Sequence, residues 1–472
     1  MDLKARQYQV NPEVPFENDL LKREPEIRNI TVLLQNVPPP FVLAVNGRWG
    51  AGKTTFVNRW AAHLRQEKFL VLNFNAWTTD FSEDPLVAFL GEMNQGLSEY
   101  LTKDDKRKEV WEKCKKAGGE LVRRSVPVAL RLSTGGLLSG NELIRDEAMD
   151  ALGDAATDAV KAYEKTKSAI DEFKLLLTKV LAEATKTTPL VIFVDELDRC
   201  RPTYAIQLLE RIKHLFDQAG VVFVLSLDRE QLCHAIRAVY GEGLDAAGYL
   251  RRFIDVEYVL AKPDTNDYIE QLKESFGLGA YFESREKYES LRWDWEHISK
   301  TLSWLAETFN LTLRDVEQLF ARVNLVLRAT PEDVCVYPAL LAFLLVLRDK
   351  RPELYQDFTN DRGTLTPALE LLRSFLAAPR EENFHAAVLE GLLIAAKSGT
   401  PEASAAIDHH KAVLNDDSAD LENRRHSDVV LNAALRPGGR GRGLPLKDLV
   451  QRIEMLKQFN FPQRQEHSPP AQ

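Results

Sequence analysis

The stretch FVLAVNGRWGAGKTT, Phe41–Thr55, limits the possible folds more than any other part of the chain. An apolar run reads as a buried strand, and a helical pattern, FVNRWAAHLRQ, begins at once after the lysine and threonine. The spacing matches G-x-x-x-x-G-K-[ST] in the strand–loop–helix setting it requires. The residue types follow from the task of holding phosphate. Gly47, Gly50 and Gly52 let the backbone bend so that N–H groups converge on phosphate oxygens, with Trp49 and Ala51 between them. The helix that starts there adds its positive end. Lys53 supplies a mobile positive charge for the β- and γ-phosphates, and Thr54 offers a hydroxyl to Mg²⁺, with Thr55 beside it. A chance glycine-rich turn is the alternative, and the flanking strand and helix weigh against it.

A nucleotide held at the first strand needs a metal ligand at the end of a neighbouring one. VIFVDELDRCRP, Val191–Pro202, is an apolar run that stops in charge. Asp195 stands where the run ends, so its carboxylate emerges at the sheet's ligand-binding edge and is assigned to Mg²⁺ through a water. Adjacent side chains on a strand face opposite ways, so Glu196 is expected to do a different job, polarising the attacking water. A solvated strand end is the alternative for both acids. Asp198, Arg199 and Arg201 precede a helix beginning near Pro202. Asp198 orders the turn, and Arg199 pairs with it or reaches across a subunit boundary. A local ion-pair network explains them equally well. Ser226 and Asp228, which end VVFVLSLD, either sense the γ-phosphate or cap the strand end.

The remaining strands are FLVLNFNAW (Phe69–Trp77), VVFVLSLD (Val221–Asp228) and FIDVEYVL (Phe253–Leu260). With helical patterns between them they predict an α/β fold with a mostly parallel five-stranded sheet. More than a hundred residues between the second and third strands carry charged, amphipathic helical patterns, so a helical insertion interrupts the core. Strands disappear beyond Lys262, and the chain reads as all-helical to about Phe461. The expected divisions are an entry segment 1–36, core 37–97, helical insertion 98–187, core 188–262, helical lid 263–350, C-terminal helical domain 351–461 and a disordered polar tail 462–472. Trp77 is expected in the core, Lys103–Lys116 as a solvated helix face, and Arg436–Gly443 as a flexible basic loop.

A formal net charge of −9 does not favour nonspecific nucleic-acid binding. Four scattered cysteines, without a CxxC pair or histidines at zinc spacing, read as reduced thiols in a cytoplasmic protein. The N-terminus has no apolar core of the signal-peptide kind. The longest apolar run, Val334–Leu347, is too short to span a bilayer and reads as a buried helix with Pro338 in its first turn.

GRWGAGKTT, FNAW, the insertion, VIFVDELDRCRPTYAIQLLERIKHLF, VVFVLSLDREQL and GYLRRFIDVEYVL together resemble the KAP family of P-loop NTPases, over roughly Asn18–Tyr355. ENDLLKRE (Glu17–Glu24) and LTLRDVEQLF (Leu311–Phe320) add to the likeness. The resemblance implies an ATPase using ATP and Mg²⁺, with a helical lid, related to the AAA+ and STAND groups. It implies an arginine finger at Arg252 or Arg251, where an exposed basic pair is the rival, and a phosphate contact in cis from Arg314, where a surface pair with Asp315 or Glu317 is the rival. Many members carry transmembrane helices in the insertion, and this sequence has none there. Bacterial members are often linked to phage exclusion. The function implied is an ATP-hydrolysing switch acting through a protein partner or a second copy. The alternatives are a nucleotide-gated scaffold with negligible turnover and a nucleic-acid-stimulated ATPase.

Overall fold

A computed structural model describes residues 10–19, 21–82, 84–101, 105–134, 164–165, 167–182, 188–215, 220–262, 264–289, 291–360, 363–375, 383–437, 442–443 and 445–455. The chain divides into two compact units, one of Gln9–Lys262 and one within Pro263–Gln472.

The first unit is built on β1 (Phe41–Asn46), β2 (Leu70–Asn75), β3 (Leu190–Asp195), β4 (Val221–Leu227) and β5 (Val256–Val259). They form one sheet in the order β2-β3-β4-β1-β5, and every pairing is parallel. Parallel strands cannot be joined by tight turns, so helices cover both faces and the strands read as continuous apolar runs. Alternation still decides which face each residue serves. Val191, Phe193, Val222 and Val224 pack with α1 (Glu24–Asn36) and α2 (Lys53–Gln66). Ile192, Val194, Phe223 and Leu225 enter the opposite core.

That second core takes in α3 (Pro85–Gly96), α4 (Ser98–Leu101), α5 (Asp105–Thr134) and α6 (residues 167–181), which fill the long interval between β2 and β3. Phe89 of α3 meets Phe74 of β2 edge-on at 5.4 Å. Trp111 and Cys114 of α5 and Phe173, Leu177 and Val180 of α6 are buried in the same cluster. The charged side of α5 is solvated, as its composition requires. After β3 come α7 (Pro202–Leu215), α8 (Arg229–Tyr240) and α9 (Ala246–Leu250).

The second unit is mainly helical, with its own core. Pro338 opens a helix to Lys350 whose first ten residues are all buried. A proline at a helix start gives up an N–H that had no partner there anyway. Thr312 and Asp315 close a reciprocal capping box on the helix Leu313–Arg328. Strands do not vanish beyond Lys262 as expected: Val334–Cys335 pairs in parallel with Arg442–Gly443. Two residues a side are too few to leave a sequence signal. No helix among the described residues is long and apolar enough to cross a membrane. The tail 462–472, the middle of the basic loop at 438–441 and much of the insertion lie outside the described residues.

The observed strands match the apolar runs except at their ends. The fifth starts at Val256, not Phe253, because residues 251–253 complete the turn that leaves α9. Trp60 of α2 is the largest side chain locking a helix to the sheet. It is fully buried, lies edge-on to Phe193 at 5.2 Å, and donates its indole N–H to Thr31 of α1 at 3.0 Å. Trp60→Ala should cost about 3–5 kcal/mol of stability in this unit. Urea unfolding followed by far-UV circular dichroism measures it, and a loss too small to resolve would contradict this account of the core.

Candidate functional site

The sheet register brings the site together. Asn75 is level with Asp195, Asp195 with Ser226, and Asn46 with Leu227. Four strand ends therefore deliver their polar residues side by side at the carboxyl edge, where open α/β sheets bind ligands. Gly47 continues the ladder by donating its N–H to Leu227 at 3.1 Å.

From there the loop turns back. Gly50 and Gly52 have φ of 79° and 86°, a left-handed backbone that other residues adopt only at a cost. Gly52 is the N-cap of α2, so the helix's unpaired N–H groups open into the loop. Lys53 is buried and donates to the carbonyls of Gly47 at 2.7 Å and Arg48 at 3.3 Å. Burial lowers its pKa, against the opposing pull of Asp198, Asp228 and Asp195. Thr54 is exposed and Thr55 half-buried in the first turn. The backbone is a cradle of the shape a phosphate chain requires, with one cation inside it.

Asp195 ends β3, and its Oδ1 accepts the N–H of Glu196 at 2.9 Å. Glu196 has left the strand. Its φ is 61°, a left-handed conformation that costs a non-glycine residue on the order of 1 kcal/mol. The two acids are thus separated by a backbone turn, where the sequence suggested strand alternation. Both carboxylate oxygens of Glu196 are engaged: Asn75 donates to Oε2 at 3.1 Å and Arg199 pairs with Oε1 at 2.7 Å. The expected Arg199–Asp198 pair is replaced by this one, because the three-residue 3₁₀ turn Leu197–Arg199 brings Arg199 back over Glu196. Arg201 instead binds Asp80, at 2.8 Å.

Asp198 is buried and accepts the indole N–H of Trp49 from the phosphate loop. Its other oxygen, Oδ1, has no hydrogen-bond partner, and neither has the fully buried Ser226 Oγ. Burial raises the Asp198 pKa, with Lys53 opposing. Asp228 has two duties. Its Oδ1 caps α8 by accepting from Glu230 and Gln231, and its Oδ2 accepts the backbone N–H of Trp49 at 3.1 Å.

Other expected residues lie elsewhere. Arg252 lines a small cavity of about 210 Å³ with Phe41, Val42 and Asp255, at the amino end of β1. Within one chain it is therefore at the opposite sheet edge from Gly47. Arg251 is exposed beside it. Arg314 is exposed in the first turn of Leu313–Arg328 in the other unit, where Asp315 pairs with Lys350 at 3.1 Å. Trp77 is not a core residue. β2 stops at Asn75, Ala76 takes the buried position, and Trp77 turns outward under the Arg199 guanidinium at 5.6 Å. All four cysteines are buried free thiols. Asn75 was missed: the FNAW motif contains it, but only the sheet order puts it beside Glu196.

A group holding a metal and phosphates fits these residues. Two orphaned buried oxygens, Asp198 Oδ1 and Ser226 Oγ, stand with Lys53 at a glycine-turned cradle. Thr54 and Asp195 are the residues with the chemistry to hold Mg²⁺.

Residues 23–330 match the model of the KAP family P-loop domain. The phage T7 exclusion protein of Escherichia coli strain K12 is 20% identical over 374 residues, which are 75% of this chain and 46% of that protein. The chain thus spans about half the length of that curated relative. Among solved structures, Cdc6p from Pyrobaculum aerophilum matches with a TM-score of 0.34 and 13% identity, covering 95% of this chain and 90% of its own. The Aeropyrum pernix ORC2 protein matches with 0.32 and 14%, covering 94% and 98%.

The Asp198 environment has a consequence for stability. An acid whose pKa is raised by folding destabilises the fold wherever it is ionised, and that cost fades as pH falls through its folded value. Asp198→Asn keeps an acceptor for the Trp49 indole and removes the charge. At neutral pH it should raise the unfolding temperature, and the gain should shrink in acid. Thermal unfolding across pH tests this; destabilisation at neutral pH would show that the Lys53 contact outweighs burial.

Proposed function

The chain belongs to the KAP family of P-loop NTPases, and from that premise we propose that it is a magnesium-dependent ATPase working as a molecular switch. The observation that carries this is the register of β2, β3, β4 and β1, which aligns Asn75, Asp195, Ser226 and the phosphate loop at one edge.

Lys53 leaves the loop carbonyls and holds the β- and γ-phosphates. The amides of Trp49, Gly50, Ala51, Gly52 and Thr55 line the phosphate chain. Thr54 and Asp195 would hold Mg²⁺, which would supply neutralisation of the phosphate charge. Glu196 accepts the proton of the attacking water. Ser226 and Asp228 face the γ-phosphate end. Arg252 acts on the nucleotide of a second copy, since its own cradle is at the other sheet edge. Opening and closing on ATP is passed to a partner protein. The likeness to a phage T7 exclusion protein supports a role in phage defence.

One observation favours the second reading, a nucleotide-gated scaffold with little turnover. Asn75 and Arg199 hold Glu196 at both oxygens. With one position on each oxygen taken, Glu196 has fewer acceptor positions left for water, so basal hydrolysis is slow until a trigger moves one of the partners. Asn75→Ala should raise the basal rate several-fold. An unchanged rate would make Asn75 a packing residue only.

Lys53→Ala should lose ATP binding while remaining folded. Asp195→Asn should weaken Mg²⁺–ATP binding itself. Glu196→Gln keeps shape and a hydrogen bond but cannot take the proton, so it should bind ATP normally and hydrolyse it about 10²–10⁴-fold more slowly. Equilibrium binding beside single-turnover rates separates these outcomes. Wild-type hydrolysis by Glu196→Gln would remove it from the mechanism.

A further inference from the structure

Trp49 is held twice by aspartates from two different strand ends. Its backbone N–H goes to Asp228 Oδ2 at 3.1 Å, and its indole N–H goes to Asp198 Oδ2. Trp49 belongs to the strand side of the phosphate loop. The helix side of such a loop holds the α- and β-phosphates, so Trp49 faces the γ-phosphate end. Asp198 as a residue is more than nine-tenths buried, its Oδ1 has no partner, and Lys53 is the cation acting on it most strongly. One amide N–H cannot serve a carboxylate and a phosphate oxygen together, and the two anions repel each other.

We propose that Trp49, Asp198 and Asp228 form a latch by which the site distinguishes a nucleoside triphosphate from a diphosphate. The γ-phosphate takes the Trp49 amide from Asp228 and Lys53 from the loop carbonyls, and the loop's movement draws the indole off Asp198. A diphosphate stops short of Trp49 and leaves both bonds in place. The latch rests on the ATPase reading and adds to it the residues that read the third phosphate.

The test uses the full chain labelled with ¹⁵N. The indole resonance missing from Trp49→Phe belongs to Trp49. It should move in Asp198→Asn, move again in the wild type on adding Mg²⁺ with a non-hydrolysable ATP analogue, and stay in place with ADP. The ratio of analogue to ADP affinity should change at least about fivefold in both Trp49→Phe and Asp198→Asn, with no further change when the two are combined. An equal response to both nucleotides, or an unchanged ratio in both variants, overturns the latch while the ATPase reading stands. If the wild type binds neither nucleotide, the ATPase reading fails and the latch falls with it.

Discussion

All strands of the sheet run parallel, and the rest of the molecule depends on that constraint. Each strand must be followed by a crossing segment that returns the chain to the same end, so every carboxyl terminus of a strand emerges at one edge. Apolar burial stops there for β1, β2, β3 and β4 together. Asn46, Asn75, Asp195 and Asp228 are the polar residues that close these runs. The same ladder aligns the phosphate loop with them, because Gly47 extends β1 by one more bond to β4.

The edge concentrates charge that water would otherwise solvate. Burial pushes Lys53 towards its neutral form and Asp198 towards its neutral form as well, while each holds the other ionised. Two buried oxygens have no partner, and Glu196 sits in a left-handed backbone. The sheet behind this edge is apolar and buried. Strained backbone and unpaired buried polar atoms are features that recur at ligand sites.

The helical unit pairs several of its buried charges with one another. Arg285 and Asp294 pair at 2.6 Å out of contact with water. Glu390 is held by Arg373, by His410 at 3.3 Å and by His426 at 3.0 Å, and these partners keep its carboxyl far below the usual range. His410 is itself braced by Ser427 at 3.1 Å. Networks satisfied in this way fix how helices pack.

Much of this was legible in the sequence. Four apolar runs read as buried strands, three glycines and a lysine between a strand and a helix read as a phosphate loop, and the end of an apolar run puts Asp195 at a strand end. Such features are local: they depend on period, backbone freedom and chain direction within a few residues. The partners of those residues are not local. Asn75 reaches Glu196 across 121 positions, and the Trp49 indole reaches Asp198 across 149. Trp77 looked like core because it follows a strand, yet the strand ended two residues earlier and turned it outward. Arg199 looked like a partner for the adjacent acid, and one turn of 3₁₀ helix gave it Glu196 instead. The sequence by itself determined which chemical groups line the sheet edge, because each is placed by its own strand. Only the tertiary structure decided which of them touch, because strand order and the turns that follow the strands are set by packing among segments far apart in the chain.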